Sequence, residues 1–176
     1  MPQVSILSAL RERAALTPHD VAFTFNDYDR NWDGVAESLT WAQLYKRTLN
    51  MAHEVGKHGT PGDRALIVAP QGLSFIVAFL GAMQAGFIAV PLAVPVPGSH
   101  DERLSAVVTD TSPAVVLTTS GVFDIAAQYV DDGAAVIAVI AVDTLDLDID
   151  QAVSAEVPAG PDIAYLQYTS GSTRLP

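Results

Sequence analysis

The spacing of apolar residues changes character near Asp63. Before it, apolar positions recur at helical intervals. Ile6 to Leu16 predicts a helix with Ile6, Leu10 and Ala14 on one face and Pro18 beyond its end. Val21 to Phe25 predicts a short strand, and the polar, glycine-containing stretch NDYDRNWDGVAES a loop or hairpin connection. The clearest helix starts at Thr40. Thr40 and Gln43 have capping-box spacing, and Leu39 and Leu44 stand where a hydrophobic staple packs. Leu44, Thr48, Met51, Ala52 and Val55 make its apolar stripe. Lys57 and His58 suit its negative end, and Gly59 is the expected left-handed stop.

Beyond Asp63 the apolar residues come in unbroken runs separated by helical segments. Strands are expected at Arg64 to Ala69, Phe87 to Leu92, Ala114 to Thr118, Ala135 to Val142 and Ile163 to Tyr168. Helices are expected at Leu73 to Ala85, stopped by Gly86, at Asp101 to Thr109 and at Val122 to Tyr129. Strands that are apolar throughout are covered on both faces. The repeated β-α-β order therefore predicts an α/β fold, a layered and mainly parallel sheet flanked by helices, with right-handed crossovers.

Composition narrows the function classes. Nearly half of the 176 residues are hydrophobic, enough for a sizeable core. The net charge of −11 and the scattering of only nine basic residues exclude a non-specific nucleic-acid binder, which needs clustered Lys and Arg. There is no cysteine, so disulfides, thiolate metal sites and cysteine nucleophiles are out. The N-terminus MPQVSILSALRERAAL lacks a basic segment ahead of an apolar run, so no secretion signal is read, and a cytoplasmic location is expected. Phe75 to Val96 is apolar but interrupted by Gln84, Gly86, Pro91 and Pro95, so a buried helix and strand are expected there and no transmembrane segment.

The candidate chemistry sits in PDIAYLQYTSGSTRLP, Pro161 to Pro176. Thr169, Ser170, Gly171, Ser172 and Thr173 directly follow the last expected strand, and open α/β sheets bind ligands outside the carboxyl ends of their strands. Four hydroxyl side chains can donate to phosphate oxygens, and Gly171 lets the backbone turn its N–H groups toward an anion. No Gly-Lys-Ser/Thr follows, so this is not a Walker loop, and no G-x-G-x-x-G follows any early strand, which disfavours a dinucleotide-binding oxidoreductase. Ser, Thr and Gly are also ordinary loop residues; the pentapeptide becomes specific only with its flanks.

With those flanks, YLQYTSGSTRLP resembles the phosphate-loop motif of the adenylate-forming superfamily, which includes acyl-CoA ligases, luciferases and the adenylation domains of peptide synthetases. Arg174 stands where most members have Gly, and there the chain resembles the fatty acyl-AMP ligases found beside polyketide synthases in mycobacteria and related bacteria. ESLTWAQLYKRTLNMA, GDRALIVAPQGLSFIVAFLGAMQAGFIAVPLAVP and HDERLSAVVTDTSPAVVLTTS extend the likeness over roughly residues 36 to 176. The resemblance implies an enzyme that uses ATP and Mg2+ to convert a fatty acid to an acyl-adenylate with release of pyrophosphate. The acyl group would then pass to an acyl carrier protein of a polyketide synthase. It implies that Thr169, Ser170, Gly171, Ser172 and Thr173 hold the pyrophosphate side of ATP. Arg174 either adds a positive charge there or turns away to pair with an acid. Family enzymes are several hundred residues longer, so residues 1–176 are expected to be the N-terminal subdomain, ending inside the phosphate loop, with no catalytic residue of their own and inactive alone. A long-chain acyl-CoA ligase of the same superfamily and a non-catalytic nucleotide-binding or interaction module are the alternatives.

Other features invite sharper readings than they support. Asp146, Asp148 and Asp150 imitate a calcium loop, but Gln151 and Val157 occupy the positions that need Gly and Glu, so a solvated acidic linker is expected. His53 and His58 are five residues apart, not four, and show no third zinc ligand. His100-Asp101-Glu102-Arg103 reads more simply as a charged helix start than as a catalytic cluster. Trp32, Trp41 and the Phe75/Phe79 pair are expected in the core.

Overall fold

The computed structural model describes residues 5–28, 31–96, 102–130, 137–151, 153–156 and 162–168, with Glu102 and Arg103 described by backbone alone. The first helix, α1, spans Ile6–Leu16, with Ser5 Oγ accepting from the Ser8 N–H as its N-cap. Its buried residues are Leu7 and Leu10; Ile6 is more than half exposed, so the inward face is turned by one residue from the expected one. Strand β1, Val21–Asp27, pairs antiparallel with β2, Val35–Thr40. The polar stretch thus hides a strand. β2 is exposed over its first four residues, so it lacks the buried apolar run that advertises a strand.

The next helix, α2, covers Trp41–Val55 and has the full capping box. The Gln43 N–H donates to Thr40 Oγ1 at 3.3 Å, and the Thr40 N–H to Gln43 Oε1 at 2.9 Å. Leu39 and Leu44 are both buried in one core cluster, as a staple requires. The helix ends earlier than Gly59 implies. Gly56 caps it in a right-handed conformation, and Gly59 has no positive φ. Space explains Gly59 instead: a Cβ there would stand 2.7 Å from Asp63 Oδ2 and 3.0 Å from Phe87 Cζ.

The parallel part follows expectation closely. β3 is Arg64–Val68, α3 Leu73–Gln84, β4 Ile88–Leu92, α4 Glu102–Thr111, β5 Val115–Thr118, α5 Phe123–Gln128 and β6 Ala138–Ala141. Gly86, at φ 79°, stops α3 as expected. The sheet runs β4-β3-β5-β6 and every neighbouring pair is parallel. Alternate residues of the apolar strands face two cores. Ala65, Ile67, Ala89, Val115 and Leu117 pack with α1, α2 and α3, whereas Leu66, Val68, Val90 and Val116 pack with Leu104 and Val107 of α4 and Ala126 of α5. Three layers result, with helices on both faces.

Ile163 to Tyr168 is less regular than a full strand. It meets the sheet at one parallel bridge, Tyr165 to Ala89, through hydrogen bonds from Ala89 N to Ala164 O at 3.1 Å and Leu166 N to Ala89 O at 2.9 Å. Phe75 to Val96 comprises most of α3 together with β4, and no described helix is long and apolar enough to cross a membrane. Trp32 corrects the expected core: it is 93% exposed beyond β1. Trp41 is half-buried edge-on against Phe23, and Phe75 stacks on Phe79 at 6.2 Å.

Candidate functional site

Because β3, β4 and the 162–168 segment run parallel, their carboxyl ends open on one edge of the sheet. A cleft of about 750 Å³ lies there, within the usual range of a small-molecule site. Its walls come from the turn after β3 (Ala69, Pro70, Gln71), the turn after β4 (Ala93, Val94), Phe25 of the hairpin, and Gln167 and Tyr168. Its polar side chains Gln71, Gln167 and Tyr168 stand where the chain leaves the sheet, since the continuous apolar strands supply none. The other side of β3 is closed. Thr118, fully buried at the end of β5, donates its hydroxyl to the Val68 carbonyl at 2.7 Å.

The amino end of α3 begins in the cleft wall with Gly72 at its N-cap, which offers no side chain to its first N–H groups. None of the described lining residues carries a charge. Helix α3 therefore contributes only its positive dipole end, and no carboxylate among the described lining residues could ligate a magnesium ion.

Tyr168 is the stem from which residues 169–174 continue. Its ring packs against the core on the α4 side, and its hydroxyl donates to Asp110 Oδ2 of α4. Burial first, and then the hydrogen bond and charge of Asp110, push the phenol up to about 12, so Tyr168 remains a neutral donor near pH 7. Thr169, Ser170, Gly171, Ser172, Thr173 and Arg174 lie outside the described residues. The fold brings Tyr168, the residue that precedes them in the sequence, to the cleft.

The remaining candidates are placed elsewhere. The acids after β6 are exposed to solvent, as expected, but the segment that carries them lies along α2 as a strap, with Asp148 bound to Arg47 and Asp150 to Lys46 at 2.7 Å. His58 Nε2 lies 3.8 Å from Glu54 Oε1, which also holds Lys57 through its other oxygen. His100 and Asp101 fall outside the described residues, as do the side chains of Glu102 and Arg103. Sequence reasoning missed Asp110, since nothing in the local pattern of α4 marks a residue that meets Tyr168 across 58 positions.

Comparison with known proteins places this geometry in a family context. The family described as AMP-binding enzymes matches residues 10–176. A Mycobacterium leprae protein bearing the fatty-acid–CoA ligase name fadD21 is 61% identical over all of this chain and 31% of its own length. The long-chain-fatty-acid–AMP ligase FadD28 of Mycobacterium tuberculosis is 54% identical over 98% of this chain and 30% of its own length. Among solved structures, the fatty acyl-adenylate ligase from L. pneumophila, in complex with acyl adenylate and pyrophosphate, aligns with a TM-score of 0.75 at 29% identity, covering 96% of this chain and 28% of that one. The chain thus spans about 30% of the length of the curated relatives it matches.

Proposed function

The chain belongs to the AMP-binding enzyme family, and from that premise we propose that the whole protein activates a fatty acid as its acyl-adenylate. A carboxylate oxygen attacks the α-phosphorus of ATP, the bond from that phosphorus to the bridging oxygen breaks, and pyrophosphate leaves with the electron pair. The observation that carries this reading is Tyr168, which lines an open cleft at the carboxyl ends of parallel strands and is followed directly in the sequence by the hydroxyl-rich run Thr169-Ser170-Gly171-Ser172-Thr173. In this reading Thr169, Ser170, Gly171, Ser172 and Thr173 grip the β- and γ-phosphates, and residues 1–176 are the N-terminal subdomain of the adenylating domain. Such a loop acts by positioning and by hydrogen bonds that strengthen as charge moves onto the leaving group.

Magnesium would neutralise phosphate charge in such a reaction, but the described cleft residues supply no carboxylate for it. The cations must come from beyond the cleft walls, and Arg174 is one candidate within this chain.

The relatives' names divide between AMP ligation and CoA ligation. We favour the acyl-AMP ligase, with an acyl carrier protein of a polyketide synthase as acceptor, because Arg174 replaces the glycine usual in the superfamily. A long-chain acyl-CoA ligase is the second reading. The full-length protein supplied with labelled fatty acid, ATP, Mg2+ and coenzyme A separates them. Accumulation of acyl-AMP that a phosphopantetheinylated carrier protein then consumes supports the first, abundant acyl-CoA supports the second, and no acid-dependent pyrophosphate release refutes both.

A further inference from the structure

We propose that Thr118 is a positioning residue for the cleft, acting through the Val68 carbonyl to aim Gln71 at the bound substrate. The proposal rests on the adenylating reading above and concerns the turn after β3, whose residues line the cleft. On the β4 side of β3 the ladder runs to the last residue, Val68 opposite Leu92. On the β5 side it stops one residue earlier, at Ile67 opposite Leu117. There the hydroxyl of the fully buried Thr118 donates to the Val68 carbonyl at 2.7 Å, across 50 residues of chain, and takes over where the ladder ends. The exit of β5 is braced in turn. Ser120 donates its N–H to Asp143 Oδ1 at 2.7 Å and its hydroxyl to Asp143 Oδ2 at 2.5 Å, just beyond β6.

The Thr118 bond fixes the peptide plane between Val68 and Ala69, and the turn that leaves this plane is stiff. Pro70 holds its own φ near about −65° and drives Ala69 toward an extended conformation. The direction in which the chain leaves Val68 therefore decides where Gln71 stands. Gln71 is the polar side chain that this turn offers the cleft. Three residues reach at most about 10 Å, so a tilt of about 10° at Val68 moves Gln71 by about 2 Å. A misplacement of about 1 Å at a group that orients substrate costs up to about a hundredfold in rate.

The test uses the full-length protein and reads kcat/KM for acid-dependent pyrophosphate release. Thr118→Val keeps the shape and removes the hydroxyl, Thr118→Ser keeps the donor, and Gln71→Ala removes the side chain that is aimed. Thr118→Val and Gln71→Ala are each expected to lose about tenfold, Thr118→Ser to stay within about threefold, and the double variant to be no worse than Gln71→Ala. Val107→Ala, buried on the α4 side away from the cleft, controls for lost stability. It is expected to lower the thermal midpoint while kcat/KM stays within about twofold. Pro70→Ala slackens the same turn at an exposed position without disturbing the core, and is expected to lose about threefold or more. Values within about twofold of the unaltered enzyme in Gln71→Ala or Pro70→Ala, or losses that multiply in the double variant, overturn the proposal.

Crystal structures of the full-length protein and Thr118→Val read the lever without any activity. Gln71 is expected to move by about 1 Å or more while β3 stays in place, and superposition of residues 68–72 within about 0.5 Å overturns the proposal. If the unaltered enzyme releases no pyrophosphate, the adenylating reading fails and the position of Gln71 alone decides the lever.

Discussion

Arg47 and Asp148 meet through two parallel hydrogen bonds, Nε to Oδ1 at 2.9 Å and Nη2 to Oδ2 at 2.8 Å, across 101 residues of chain. The pair belongs to a strap in which the segment after β6 lies along α2. Asn50 donates to the carbonyls of Leu147 and Ile149 at 2.8 and 3.0 Å, and Gln151 donates back to Asn50 Oδ1 at 2.8 Å. Asn50 is 4% exposed, which is tolerable because its amide is satisfied on both sides.

Removing half of this pair tests the strap. Asp148 is about half exposed, so solvent screens the interaction, and Asp148→Ala is expected to lower stability by about 0.5–1 kcal/mol in chemical denaturation. The Arg47 hydrogen bond, then its charge, holds the Asp148 carboxyl below its ordinary value. A carboxyl lowered in the folded state contributes stability that is complete above its unfolded value, near 4, and is lost as pH falls through the folded value. The thermal midpoints of the unaltered protein and Asp148→Asn should therefore differ by a constant amount from pH 7 to about 5 and converge in stronger acid.

Gly81 tests the contact between α2 and α3. A Cβ there would lie 2.5 Å from Met51 Cγ and 2.6 Å from Met51 Cβ, and Met51 is fully buried. Gly81→Ala gains up to about 1 kcal/mol in helix propensity, but overpacking of a close interface costs about 1–3 kcal/mol. A net loss of stability is expected. Met51→Ala should not fully rescue it, because alanine removes the Cγ but retains the Cβ that would stand 2.6 Å away. A stabilised Gly81→Ala variant would show that the helices separate freely.

Thr48 is expected to behave in the opposite sense. Its hydroxyl is buried in α2 with no hydrogen-bond partner among the described residues. Thr48→Val keeps the shape and removes the unsatisfied group, so stability should rise by about 1 kcal/mol. A fall in the denaturation midpoint would mean that the hydroxyl has a partner such as bound water.

These relationships differ in how far the sequence discloses them. The capping box at Thr40 and Gln43, the apolar stripe of α2 and the stop at Gly86 are local signals, each carried within a few residues, and each is found where expected. The parallel strands were legible because burial on both faces leaves an unbroken apolar run. β2 was hidden because its hairpin partner and exposed faces impose no apolar alternation. Asp148 is a solvent-exposed acid as the sequence implies, but its pairing was hidden because its partner, Arg47, is distant in the chain. Gly59 looked like a conformational stop because sequence cannot display that Phe87 and Ala114 crowd it. For the candidate site, the hydroxyl-rich segment was legible by composition and resemblance, whereas the hydrogen bond between Tyr168 and Asp110 depends on a tertiary contact.

The most direct test of the proposed nucleotide grip is ATP binding to the full-length protein by calorimetry, comparing the unaltered enzyme with Gly171→Ala and Thr173→Ala in the presence of Mg2+. Each substitution is expected to weaken ATP about tenfold or more with the thermal midpoint little changed: Thr173→Ala deletes a hydroxyl that would make a charge-assisted hydrogen bond to a phosphate oxygen, and Gly171→Ala restricts the backbone freedom proposed to turn N–H groups toward the anion. A protein that binds no nucleotide, or one whose affinity stays within about twofold in both variants, would contradict it.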